Sequence, residues 1–220
     1  MRACIFLLVF AGIATAQTTR TIQAIGSSNM QVTPDQASLD VGVVTSAATA
    51  QESAALNASQ TTAVINALKA ALGNNGTVQT QYYSVSPRYA ANSSTVNGYT
   101  TFNTLRVIST DLSGLGRLID AANGAGANTV GGLGFGLQDP EPYVQQALSA
   151  ATKQAMAHAG AIASGLGSKV GAVVSAQENS SYAPVIVNRD GGGATLAATT
   201  PIQTSTVNVY ANVTLVVQLQ

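Results

Sequence analysis

The stretch 97–139, NGYTTFNTLRVISTDLSGLGRLIDAANGAGANTVGGLGFGLQD, changes its periodicity twice, and this constrains the fold more than any other feature. Thr101, Asn103, Leu105 and Val107 alternate with Phe102, Thr104, Arg106 and Ile108, the period that a pleated strand imposes on its side chains. Leu112, Leu115, Leu118, Ile119 and Ala122 then recur at three and four, as one apolar stripe of a helix does. Asp111 is placed to cap the free amides of that helix, and Gly124 and Gly126 can end it. A second strand over 129–138 carries Val130, Leu133, Phe135 and Leu137 among glycines that permit close backbone approach.

The remainder reads as further strands and two longer helices. Strands are expected over 19–32 and, after the Pro34–Asp35 turn, where Leu39, Val41 and Val43 alternate with Ser38, Asp40 and Gly42. Leu56, Gln60, Val64, Leu68 and Leu72, joined by Thr61, Ile65 and Ala71, predict a helix over 49–72 that packs by one face, with Gly73–Gly76 as its stop. The strand 78–90 then pairs with the central unit as an antiparallel hairpin across a Ser/Asn/Gly turn. Pro140 and Pro142 start a helix to about Leu166, with Val144, Leu148, Ala151, Ala155, Ala159, Ile162 and Leu166 as its stripe. A strand follows from Ser168, and residues 179–203, with the triple glycine 191–193, read as a mobile arm or long hairpin tip. The chain ends in a long strand with Val207, Val209, Ala211, Val213, Leu215, Val217 and Leu219 on one face. The fold class is therefore α+β, with antiparallel or mixed sheets packed with three helices.

Residues 1–16, MRACIFLLVFAGIATA, have an early charge at Arg2, a short apolar run and the A-x-A pattern of Ala14 and Ala16, which together read as a secretory signal peptide. The run is well short of the ~20 residues that span a bilayer. A chain starting at Gln17 would contain 204 residues without cysteine, so thiol chemistry, disulfides and Cys-based metal sites are excluded from it. It would hold eight basic and nine acidic residues and no basic cluster, which leaves no face for nucleic acid. So weakly charged a surface resists self-association little, and a homo-oligomer is expected.

The chemistry-bearing residues are few. His158 is the only histidine, lies on a helix and has no nucleophile or orienting partner at a suggestive spacing, so it reads as a packing or rim residue. A zinc site would need several His, Cys or carboxylate ligands. The glycine runs 131–136 and 165–171 lack the strand-to-helix context of a dinucleotide loop, and no cofactor is expected. Tyr82, Tyr83, Tyr89 and Tyr99 cluster on the hairpin and are the one residue-level candidate for a binding surface, against the plainer reading of sheet packing with phenols at the edge. No catalytic residue and no metal ligand is assigned. The alternating C-terminal strand would also suit an outer-membrane barrel, but three helical segments oppose it.

Several segments in order resemble the SIMPL-domain family: PDQASLDVGV (34–43), TQYYSVSPRY (80–89), NGY with NTLRV and DLSGLGRLIDAA (97–122), GFGLQD (134–139), ALSAATKQAMAHA (147–159) and LGSKVGAVVSAQE (166–178). The resemblance covers nearly all of 17–220 and is weakest over 179–203. It implies an α+β protein of the exported periplasmic or outer-membrane immunogenic type, without an agreed reaction, linked to oxidative-stress tolerance and, in at least one similar protein, to a channel-like ring of many subunits. The expectation is an exported, non-enzymatic, self-assembling cell-envelope protein, in the periplasm or associated with the outer membrane. The alternative is a periplasmic binding module that engages an envelope partner through the tyrosine hairpin and the 179–203 arm.

Overall fold

The computed structural model describes residues 20–186 and 202–220. The predicted signal peptide and most of the predicted arm, 187–201, lie outside the described residues. In chain order the elements are β1 (Thr21–Val32), β2 (Gln36–Ala47), α1 (Ala50–Leu72), β3 (Gly76–Tyr89), β4 (Val96–Ser109), α2 (Leu115–Gly124), β5 (Thr129–Gly136), α3 (Glu141–Gly165), β6 (Val170–Ala183), β7 (Val185–Ile186) and β8 (Val207–Leu219). The α+β class, the three helices and the long terminal strand follow the sequence reading.

The described residues divide into two compact units. Residues 20–27, 150–179 and 212–220 make one; residues 28–149, 180–186 and 202–211 make the other. The strands form a three-stranded sheet, β1-β8-β6, and a five-stranded sheet, β3-β4-β2-β5-β7. In the larger unit β2 pairs antiparallel with β4, Val41 opposite Leu105, and with β5 on its other side. Side chains alternate across the sheet, so Leu39, Val41, Val43, Leu105 and Val107 point to one face and join Val64, Leu68, Leu72, Leu115, Leu118, Ile119 and Phe135 in the core. Burial of each such aliphatic side chain contributes about 1.5–3 kcal/mol.

The helix α1 corrects the sequence reading in its first half. Leu56, expected on the apolar stripe, is 55% exposed, and the buried row there is Ser53, Asn57 and Thr61. The row is satisfied by hydrogen bonds. Ser53 Oγ lies 2.8 Å from Thr101 Oγ1, Asn57 Nδ2 donates to the carbonyls of Val43 (2.9 Å) and Thr101 (3.3 Å), and Thr61 Oγ1 donates to Asn57 Oδ1. Thr49 and Glu52 close a capping box at the start of α1.

In the smaller unit α3 buries an alanine row, with Ala151, Ala155, Ala159 and Ala163 at most 1% exposed. Expected stripe members Ile162 and Leu166 are exposed instead. The alanines let the helix approach β1 until Gly26 meets its backbone: a Cβ on Gly26 would stand far inside contact distance of Ala151 O and Ala155 N. The sheet is closed at its end by the reciprocal Lys169–Gln220 backbone pair (2.8 and 2.9 Å).

The start of the expected arm is strand: β6 runs to Ala183, and β7 pairs with β5 through Val185 and Phe135. Tyr182 ties this end down, its phenol oxygen accepting the Leu137 N–H at 2.6 Å.

Candidate functional site

The tyrosine hairpin is β3 and β4, antiparallel and in register from Gly76↔Ser109 to Tyr89↔Val96, with irregularities at Thr80/Tyr82 and Arg88/Tyr89. Among the described residues β3 is the outermost strand of its sheet, hydrogen-bonded on one side only. Its aromatic side chains are correspondingly open: Tyr82, Tyr83 and Tyr89 are 57%, 52% and 56% exposed, while Tyr99 on β4 is half-buried.

The register separates these residues. Thr101 touches Ser53 of α1, so its face of β4 is the helix side. Tyr83, Val85 and Pro87 stand opposite Asn103, Thr101 and Tyr99 and share that side. Tyr82 stands opposite Thr104 on the other, open face, diagonal to the exposed Phe102. The candidate residues therefore flank an edge from both faces and do not form one platform.

The open face carries a feature that sequence reasoning missed. Asp40 and Arg106 are directly opposite in the β2–β4 register and meet in a two-pronged ion pair, Nε to Oδ1 at 2.5 Å and Nη2 to Oδ2 at 3.1 Å. Beside it a furrow of about 260 Å³ runs over Gly42, between Phe102 and Thr129. Gly132, at φ +60°, leaves room for the Asp40 carboxylate, which a Cβ there would strike. Both charged residues were visible on the polar faces of alternating strands, but only the register brings them together.

Elsewhere, Asp111 anchors the turn ahead of α2. Its Oδ1 accepts from Ser113 Oγ (2.6 Å) and Gly114 N (2.9 Å), and its Oδ2 meets Arg117 at 3.1 Å. The Ser113 hydroxyl is the main reason its carboxyl is held below the ordinary carboxylate value, opposed by partial desolvation and aided by the Gly114 N–H and Arg117. Asp111 acts one turn earlier than the helix cap that the sequence suggested, because α2 begins at Leu115. His158 is exposed on α3 with Nδ1 2.8 Å from the Ile25 carbonyl. The 131–136 glycine run lies within β5 and extends to its end, and 165–171 joins α3 to β6. Among the described residues no group of three His, Cys, Asp or Glu side chains is placed to hold a metal ion.

The sequence pattern of SIMPL, described as a protein of unknown function (DUF541), matches residues 22–217. The chain belongs to the SIMPL family. It is similar to the 26 kDa periplasmic immunogenic protein of Brucella melitensis biotype 1 and to that of Brucella abortus, 28% identical to each over 164 residues. These matches take in 71% of the SIMPL chain and 66% of each relative, just under two thirds of the relatives' length. Among the described residues no helix is long and apolar enough to cross a membrane.

Proposed function

We propose that this SIMPL protein is an exported, non-enzymatic component of the bacterial periplasm that works as an assembly of its own copies. The observation that carries the reading is the β3 edge: a 14-residue strand, unpaired on one side among the described residues, with exposed tyrosines on both faces. Long exposed edges are managed in proteins by covering them, and a neighbouring copy is the cover available to every molecule. The periplasmic setting is supported by the signal-like 1–16 segment and by the names of the two Brucella relatives. A part in oxidative-stress tolerance rests on the family resemblance.

The test is the solution mass of residues 17–220, by light scattering coupled to size exclusion across a range of concentrations. The expected result is a particle of two or more protomers; a monomer throughout would remove the assembly reading. The Asp40–Arg106 pair beside the furrow favours a second reading, a periplasmic binding module. In that case Tyr82→Ala with Tyr83→Ala abolishes a saturable interaction with an envelope component and leaves the mass unchanged.

A further inference from the structure

The β3 edge has a direction and a length that say how a second strand would add to it. Two observations fix which backbone groups point away from β4. Thr110 N donates to Asn75 O at 2.8 Å, which makes 75, 77 and 79 the residues bonded toward β4. One extra residue, Gln81, is then inserted at the Thr80/Tyr82 irregularity, after which 82, 84 and 86 face inward and 83, 85 and 87 outward. Pro87 agrees independently, since a residue with no N–H belongs where the ladder does not call for one. The outward edge thus offers complete donor and acceptor sets at Tyr83 and Val85, bracketed by the bulge at Gln81 and the missing donor at Pro87.

We infer that β3 pairs antiparallel with β3 of a second copy about a two-fold axis at Ser84, an inference that rests on the assembly reading above. In this register Tyr83 lies opposite Val85 of the other copy, twice over, and all four outward N–H groups and all four outward carbonyls of these residues are matched. Ser84 faces Ser84 in the position without hydrogen bonds, and Tyr82 faces Ser86. Moving the axis to Val85 would set Tyr83 against Pro87 and leave the Tyr83 carbonyl without a donor. Moving it to Tyr83 would set Val85 against the bulge.

The second copy is the occupant because the strand suits itself electrostatically. Residues 76–87 contain no Asp, Glu, Lys or Arg, so a two-fold pairing opposes no like charges, and Arg88 falls opposite Thr80. The bulge and the proline, which discourage open-ended pairing, limit the contact to 82–86. The contact is its own partner and closes at two copies, giving a sheet that continues from one molecule into the next.

Residues 17–220 contain no cysteine, so one introduced thiol reports the axis directly. Facing residues without hydrogen bonds in an antiparallel pair have Cα atoms about 4.5 Å apart, within disulfide reach. Ser84→Cys is expected to become a covalent dimer under mild oxidation at micromolar protein. Ser86→Cys alone should cross-link at least about tenfold more slowly, and a mixture of Tyr82→Cys and Ser86→Cys should give the mixed dimer. Val85→Pro removes an outward donor that β4 does not use; added to Ser84→Cys, it should suppress the cross-link while circular dichroism and the thermal transition stay native.

Equal cross-linking of Ser84→Cys and Ser86→Cys, or an undiminished cross-link in folded Val85→Pro, would overturn the pairing. A particle of two or more protomers without the Ser84→Cys cross-link overturns it and leaves the assembly reading standing; a monomer overturns both.

Discussion

The helices α1 and α3 are similar in length, 23 and 25 residues, and each sets one row of side chains against strands. The rows are built differently. The first half of the α1 row is Ser53, Asn57 and Thr61, followed by Val64, Leu68 and Leu72. It is held by hydrogen bonds at one end and aliphatic burial at the other. The α3 row is alanine throughout, from Ala147 to Ala163, and reaches the backbone at Gly26. A hydrogen-bonded contact fails when a group is deleted, whereas a contact of minimal side chains fails when one is added.

The most disruptive change should therefore be an addition. Gly26→Val forces β1 away from Ala151 and Ala155 and is expected to cost about 3 kcal/mol or more in urea unfolding. Amide exchange should place the loss in 20–27 and 150–179. A cost below about 1 kcal/mol would break the comparison, since the α3 contact would then be as yielding as an ordinary surface.

Next comes a deletion: Asn57→Ala removes the donor to Val43 O and Thr101 O and is expected to cost about 2 kcal/mol. Asn57→Leu should recover little, because added apolar area does not satisfy those carbonyls; full recovery would show that α1 packs by area alone. Thr49→Ala opens the capping box at an exposed end and should cost about 1 kcal/mol by the same unfolding measurement.

The smallest effect is electrostatic. The Asp111 carboxyl is lowered from its ordinary 3.8, so its contribution is fully present above that value and lost as pH falls through the lowered one. In an acid titration of stability, Asp111→Asn should flatten only the limb below about pH 4. If the variant changes stability equally at pH 7 and pH 3, the interaction is not carried by the charge.

The misreading of α1 has a geometric cause. The buried row of α1 is 53, 57, 61, 64, 68 and 72, with one step of three between Thr61 and Val64, so a strict spacing of four carried back from Val64 falls on Gln60 and Leu56, one position off that row. Leu56 thus leaves the buried side, and the row is taken up by residues whose polarity hid it. Thr61 was on the expected stripe, but Ser53 and Asn57 were not, and nothing local announces that Thr101 and two carbonyls will meet them. Where burial followed simple alternation, as in β8 and β2, the sequence reading was sufficient. The candidate site was legible as a hairpin and as a cluster of tyrosines. Its division between two faces, the outermost position of β3 and the Asp40–Arg106 pair depend on strand order and register, which arise from contacts far apart in the chain.

Asn57 has one further consequence. Its amide reaches two neighbouring strands at once, accepting only an arrangement in which Thr101 of β4 lies two residues from Asn103, the partner of Val43 on β2. A one-residue slip would turn a strand's apolar set to the wrong face. It would also leave this amide holding a single carbonyl. The side chain therefore works as an alignment gauge, which tells correctly threaded chains from misthreaded ones in a protein whose residues 17–220 have no disulfide to lock the threading afterwards.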